Sequence, residues 1–187
     1  MSDTVGILLP FPQASSLVAT RPAMQRQQFE GIVNQLVTQL RARGCTQAAL
    51  WFDDTALFSC ALLGCWAAGV KALLAPDLLN DTQAWVKAEA ACWITDQALP
   101  DPVTPVLRLD TLADTAENTQ HAANMFQTRA DGLFLPIPAD ACALLRTSGS
   151  TGAPRVVEKR FTQLHAEART LIRLWSLHTQ AATVIAS

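Results

Sequence analysis

Several features that would settle a function at once are missing from this sequence. There is no basic cluster: 14 Lys and Arg stand against 16 Asp and Glu, for a formal net charge of -2. Phosphate backbones are held mainly by such clusters, so nucleic acid is not an expected partner. The five cysteines, Cys45, Cys60, Cys65, Cys92 and Cys142, are odd in number and never stand at C-x-x-C spacing. That pattern argues against a disulfide framework and against a zinc site. They are read instead as small buried apolar residues, the usual fate of free cysteine. The opening stretch, MSDTVGILLPFP, lacks the positive start and long apolar run of a secretory leader. The longest apolar stretch, Ala56 to Val70, is interrupted by Ser59 and two glycines. It is too short to span a bilayer and reads as a core helix. The expected location is the cytoplasm.

What is present is globular. Half of the 187 residues are hydrophobic and 16% are charged, which fits one domain with a real core rather than a disordered chain. Val5 to Leu9 is a short apolar run that reads as a strand or an ordered arm before Pro10 and Pro12. From Pro22 to Arg43 a helix is expected, with Phe29, Ile32, Val33, Leu36 and Leu40 forming one apolar stripe and Gly44 as its cap. Ala48 to Phe52 (AALWF) reads as a buried strand, Asp53 and Asp54 as caps for a buried helix ending at Gly69, and Val70 to Ala75 as a second strand. Strand, helix, strand over so few residues is a βαβ crossover, which implies parallel neighbours. Asp81 opens a short helix and Cys92 to Thr95 (CWIT) is another strand. The expected fold class is therefore α/β, a mostly parallel sheet with flanking helices.

From about 100 to 138 the chain reads as linker-like and irregular, with five prolines (Pro100, Pro102, Pro105, Pro136, Pro138), a strand near Val106 to Leu109 and a surface helix. Cys142 to Arg146 (CALLR) and Val156 to Glu158 read as strands. Thr162 is expected to cap a helix with Leu164, Ala168, Leu171, Ile172 and Trp175 on one face. Ala182 to Ala186 reads as the start of a further buried strand, one without a turn, cap or polar tail after it. There are no internal repeats.

Chemistry concentrates between the two strands, in Thr147-Ser148-Gly149-Ser150-Thr151-Gly152-Ala153-Pro154-Arg155. Glycines let a backbone approach a ligand closely, and successive N–H groups in such a turn form a concave anion site. Hydroxyls add donors, and arginine offers a fixed fork of them. A polyphosphate suits this loop. It is not a Walker A loop, since Gly149 is followed five positions on by Pro154. Clusters of this composition also make plain turns, so an ordinary loop is the competing reading.

The string TSGSTGAPR resembles the phosphate loop of the adenylate-forming superfamily, which includes acyl-CoA synthetases and the adenylation domains of peptide synthetases. The upstream run ALLGCWAAGVKALLAPD is similar to that superfamily's N-terminal subdomain. The resemblance covers the chain in outline and is specific over Thr147 to Arg155. It departs where the family usually has Lys and this chain has Arg155, and where the family usually has Gly and this chain has Val156. The resemblance implies an ATP-dependent ligase that turns a carboxylic acid, such as a fatty or aryl acid, into an acyl-adenylate and passes it to coenzyme A or an acyl-carrier protein. It implies that Thr147, Ser148, Gly149, Ser150, Thr151 and Gly152 bind ATP phosphates and that Arg155 is catalytic, steadying the leaving charge. Mg2+ is implied, with its protein ligand outside this chain. The family's adenine, ribose and catalytic-lysine motifs follow the phosphate loop by more than this chain contains, so a fragment or half of a split protein is expected.

Alternatives remain. A non-catalytic nucleotide-binding module, or a partner subunit completed by another chain, would use the same loop. An unpaired strand edge would favour self-association. His121, His165 and His178 are scattered, and His165 with Glu167 and Arg169 reads as a solvated helix face. Trp51, Trp66, Trp85, Trp93 and Trp175 read as core.

Overall fold

A computed structural model of the chain describes residues 4–9, 13–100, 102, 104–111, 124–129, 132–147 and 154–175. The βαβ unit forms where the apolar runs place it. Strand β4 (Gln47–Trp51) leads into helix α2 (Thr55–Ala68), and strand β5 (Lys71–Leu74) returns parallel to β4 in register Gln47↔Lys71 to Leu50↔Leu74. The Asp54 carboxylate accepts from the Leu57 N–H at 2.8 Å and so caps α2. Gly69, at φ 77°, closes the helix in a left-handed turn that an L side chain resists.

Strand β6 (Cys92–Thr95) lies parallel on the other side of β4, followed outward by β7 (Val106–Arg108). Strand β10 (Cys142–Arg146) runs parallel to β5, and β11 (Val156–Arg160) pairs with it antiparallel. The sheet order is β11-β10-β5-β4-β6-β7. A second sheet joins β1 (Thr4–Leu9), β9 (Gly132–Pro138) and β8 (Gln127–Arg129), and β2 (Leu17–Thr20) with β3 (Ala23–Gln25) makes a hairpin.

Alternation along the parallel strands sends Ala48, Leu50, Ala72, Cys92, Ile94 and Ala143 to one face, which packs on α2 and on α1 (Arg26–Ala42). Ala49, Leu73 and Trp93 point to the other face, under Val86 of α3 (Asn80–Glu89). Helix α2 is apolar nearly all round because it lies between α1, the parallel sheet and β9. Gly64 allows this close packing: a Cβ there would stand 2.7 Å from Cδ2 of the buried Leu36.

The structure corrects several expectations. The first helix begins at Arg26 rather than Pro22, because Ala23–Gln25 pairs with β2. Part of the linker-like segment is strand: β9 lies between β1 and β8. The final helix, α4 (Phe161–Leu174), is capped at Arg160, whose N–H donates to the Gln163 side chain at 3.0 Å, so Thr162 lies inside the helix. Its apolar stripe exists, but only Leu164 packs on the core, and Trp175 is 63% exposed rather than buried. Trp66 and Trp93 are core, while Trp51 and Trp85 are half-buried. Cys60, Cys65, Cys92 and Cys142 are buried as read, and Cys45 is half-buried. The expected strand at 182–186, His121 and His178 lie outside the described residues. Among the described residues no helix is long and apolar enough to cross a membrane.

Candidate functional site

In an open parallel sheet ligands gather outside the carboxyl ends of the strands. Strand β10 is an interior strand of that kind, so the chain leaves it at Thr147 on the carboxyl edge. It returns at Arg155 into β11. The two ends of the loop are clasped. The Thr147 amide donates to the Arg155 carbonyl at 2.9 Å. The Thr147 hydroxyl donates to the same carbonyl at 3.2 Å and accepts from the Arg155 amide at 3.3 Å. The loop therefore has a fixed neck, and Pro154 and Arg155 stand exposed at it. Ser148, Gly149, Ser150, Thr151 and Gly152 lie outside the described residues.

The base of the hairpin is held from below. The Trp66 indole N–H donates to the Cys142 carbonyl at 3.0 Å, and its ring meets Phe161 edge-on at 5.3 Å. The Phe161 ring in turn stacks on His165 at 5.5 Å, so His165 is a half-buried packing residue rather than fully solvated. On the outer side, Arg146 donates to the Asp81 carbonyl at 2.7 Å and lies over Trp85, which ties the end of β10 to α3. Asp77, beyond β5, accepts from the Thr82 hydroxyl and the Leu79 amide. These bonds, Thr82 first, hold its carboxyl below the ordinary aspartate value of 3.8.

The same edge has a second place where an anion would lodge: the crevice between β4 and β6, where the strand order reverses. Here the chain supplies the anion itself. The Asp96 carboxylate accepts from the Asp53 amide at 3.1 Å and the Asp54 amide at 2.8 Å, ahead of α2. Asp53 thus contributes its backbone rather than a capping side chain. That crevice is thus satisfied internally. Sequence reasoning did not single out Asp96, Arg146 or the anchoring role of Trp66. The one available signal was a polar residue directly after an apolar strand. A shallow groove on α4 is lined by His165, Arg169 and Arg173 among others, all from a single helix.

No protein-family model matches the sequence, and no curated protein matches it either. Solved structures do. o-Succinylbenzoate coenzyme A synthetase (MenE) from Bacillus subtilis, in complex with AMP, is similar with a TM-score of 0.65 and 18% identity, over 90% of this chain and 46% of that one. The chain has the fold of the N-terminal portion of the adenylate-forming enzymes. A fatty acyl-adenylate ligase from L. pneumophila matches at TM-score 0.60 and 18% identity, over 86% of this chain and 29% of that one. The N-terminal domain of FACL13 from Mycobacterium tuberculosis matches at 0.55 and 21%, over 76% and 39%. The chain thus spans less than half the length of each of these neighbours.

Proposed function

We propose that this chain is the amino-terminal part of an AMP-forming ligase, which activates a carboxylic acid with ATP to an acyl-adenylate and passes the acyl group to a thiol. The observation that carries this reading is the clasped hairpin loop, Thr147 to Arg155, at the carboxyl edge of a sheet shared in fold with adenylate-forming enzymes. The solved neighbours include complexes with ATP and magnesium, and with acyl-adenylate and pyrophosphate. In this reading Ser148, Ser150 and Thr151 donate hydroxyl hydrogens to the β- and γ-phosphate oxygens. Gly149 and Gly152 let the backbone amides approach. The Arg155 guanidinium offsets the charge that grows on the departing pyrophosphate. The bonds between Thr147 and Arg155 fix the two ends from which that loop departs.

Magnesium is expected with ATP. Among the described residues no group of three His, Cys, Asp or Glu side chains is placed to hold a metal. The acid, fatty or aryl, and the acceptor, coenzyme A or an acyl-carrier protein, belong to the same proposal, as does a cytoplasmic setting.

Calorimetry with ATP and with pyrophosphate tests the proposal on the wild type and on a Ser150→Ala/Thr151→Ala/Arg155→Ala variant. A few charged hydrogen bonds, less the cost of ordering the loop, leave about 4 kcal/mol, or roughly millimolar affinity. Binding of that order that the triple change abolishes is the expected result. Equal binding by both proteins would overturn the assignment of the loop. Steady AMP formation by the 187-residue chain alone would overturn the reading that it is only a part.

A further inference from the structure

Cys45 and Cys92 are 47 residues apart in sequence and meet with their sulfurs 3.9 Å apart. Cys45 sits in the turn between Gly44 and β4, and Cys92 opens β6 beside Ala48 of β4. Both therefore lie at the amino-terminal edge of the sheet, away from the hairpin loop. Their burial differs in a useful way. Cys45 is half-buried, within reach of a small reagent, while Cys92 is only 2% exposed and is approached through its neighbour. The hydrogen bond shared with Cys92, then the one to the Gln47 backbone and the charge of Arg43, hold the Cys45 thiol down to about 7 from its ordinary 9.0, against the raising effect of burial. The same bond and burial push Cys92 up, and burial pushes up Cys60 and Cys65.

We propose that Cys45 and Cys92 are a redox modification site, a thiol pair that closes reversibly to a disulfide when the chain meets a low-molecular-weight disulfide. The step balances. The Cys45 thiolate attacks one sulfur of the reagent, the reagent's S–S bond breaks, and a small thiolate leaves with the electron pair. Cys92 then gives its proton to the first small thiolate or to water, and the resulting thiolate attacks the Cys45 sulfur and expels the second small thiolate with its electron pair. Two protein thiols are oxidised and one small disulfide is reduced to two thiols. Closure brings the sulfurs from 3.9 Å to a bond of about 2 Å. The thiolate, not the thiol, is the nucleophile, so Cys45 is the entry point.

The experiment exposes the reduced 187-residue chain to oxidised glutathione near pH 7, quenches with an alkylating reagent and maps peptides without reduction. The expected product is a Cys45–Cys92 cross-linked peptide, with the thiol count falling from five to three and returning to five with dithiothreitol. Cys92→Ser should halt at a glutathione adduct on Cys45, and Cys45→Ser should give neither product. The proposal is overturned if the wild type keeps a glutathione adduct on Cys45 while Cys92 still alkylates, if Cys45 joins Cys65 instead, or if all five thiols survive.

Discussion

The indole N–H of Trp66 donates to the backbone carbonyl of Cys142 at 3.0 Å, across 76 residues of chain and away from water. This bond joins the helix of the βαβ unit to the first residue of the strand that carries the candidate loop. A buried carbonyl that loses its donor costs about 1–3 kcal/mol. Trp66→Phe keeps an aromatic ring against Phe161 but removes the donor. It should lower unfolding stability by about that amount in a urea titration with unchanged slope. A loss below about 0.5 kcal/mol, the level of an ordinary surface change, would mean that the bond does not hold the hairpin base.

Two effects of opposite sign meet at Gly64. Alanine is favoured over glycine in a helix by about 1 kcal/mol. A Cβ at this position, however, would sit 2.7 Å from Leu36 Cδ2 and 3.2 Å from its Cγ, and Leu36 has no exposed surface into which to retreat. Overpacking of that kind costs about 1–3 kcal/mol. Gly64→Ala should therefore destabilise, by up to about 2 kcal/mol after the propensity gain. Combining it with Leu36→Val, which removes the nearest clashing atom, Cδ2, should cost less than the sum of the two single changes. Additive losses would show that the helices part rather than clash.

The Asp77 carboxyl titrates below its ordinary value, chiefly because the Thr82 hydroxyl donates to it and next because the Leu79 amide does. A carboxyl depressed in the folded state stabilises above its unfolded value of 3.8, and that contribution is lost as pH falls through the lower folded value. Glu30 acts in the opposite sense: burial raises it, against the lowering effect of Arg26. The comparison must therefore be between wild type and Asp77→Asn. The expected result is a stability difference that is present at neutral pH and shrinks as pH drops below about 4. A difference independent of pH would assign the effect to packing instead of charge.

How far the sequence led depended on which physical signal each element carries. Strands β4, β5, β6 and β10 are short apolar runs bounded by turn residues or Asp, and α1 has a regular stripe, so local pattern was enough. Strand β9 was hidden by Pro136 and Pro138. Strand β8 pairs with β9 only over 132–134, so on that side both prolines lie beyond its reach, where a missing N–H costs little. The β2–β3 hairpin was hidden because Ala23–Gln25 continues directly into α1. Trp175 was misread because an apolar stripe at helical spacing says which face is apolar, not what covers it. At the site, the loop was found by its string of residues. Asp96 was not, because filling a crevice 42 residues upstream at Asp54 is a tertiary fact with no local pattern.

Thr147 offers a test that separates the neck of the loop from its lining. Its hydroxyl both donates to the Arg155 carbonyl and accepts from the Arg155 amide. Thr147→Val keeps the β-branched shape that suits the end of a strand and removes both bonds. Because the site is exposed, the folded protein should change by no more than about 0.5 kcal/mol. If the neck fixes the loop for a polyphosphate, the lost order appears in binding. Net hydrogen-bond energies of about 0.5–1.5 kcal/mol correspond to a roughly threefold to tenfold weaker affinity for pyrophosphate by calorimetry. Thr147→Ser, which restores the hydroxyl, should recover most of that loss. An affinity that follows side-chain shape instead, with Val bound as tightly as Thr and Ser more weakly, would show that the clasp between Thr147 and Arg155 is a feature of the hairpin alone and does not organise the ligand loop.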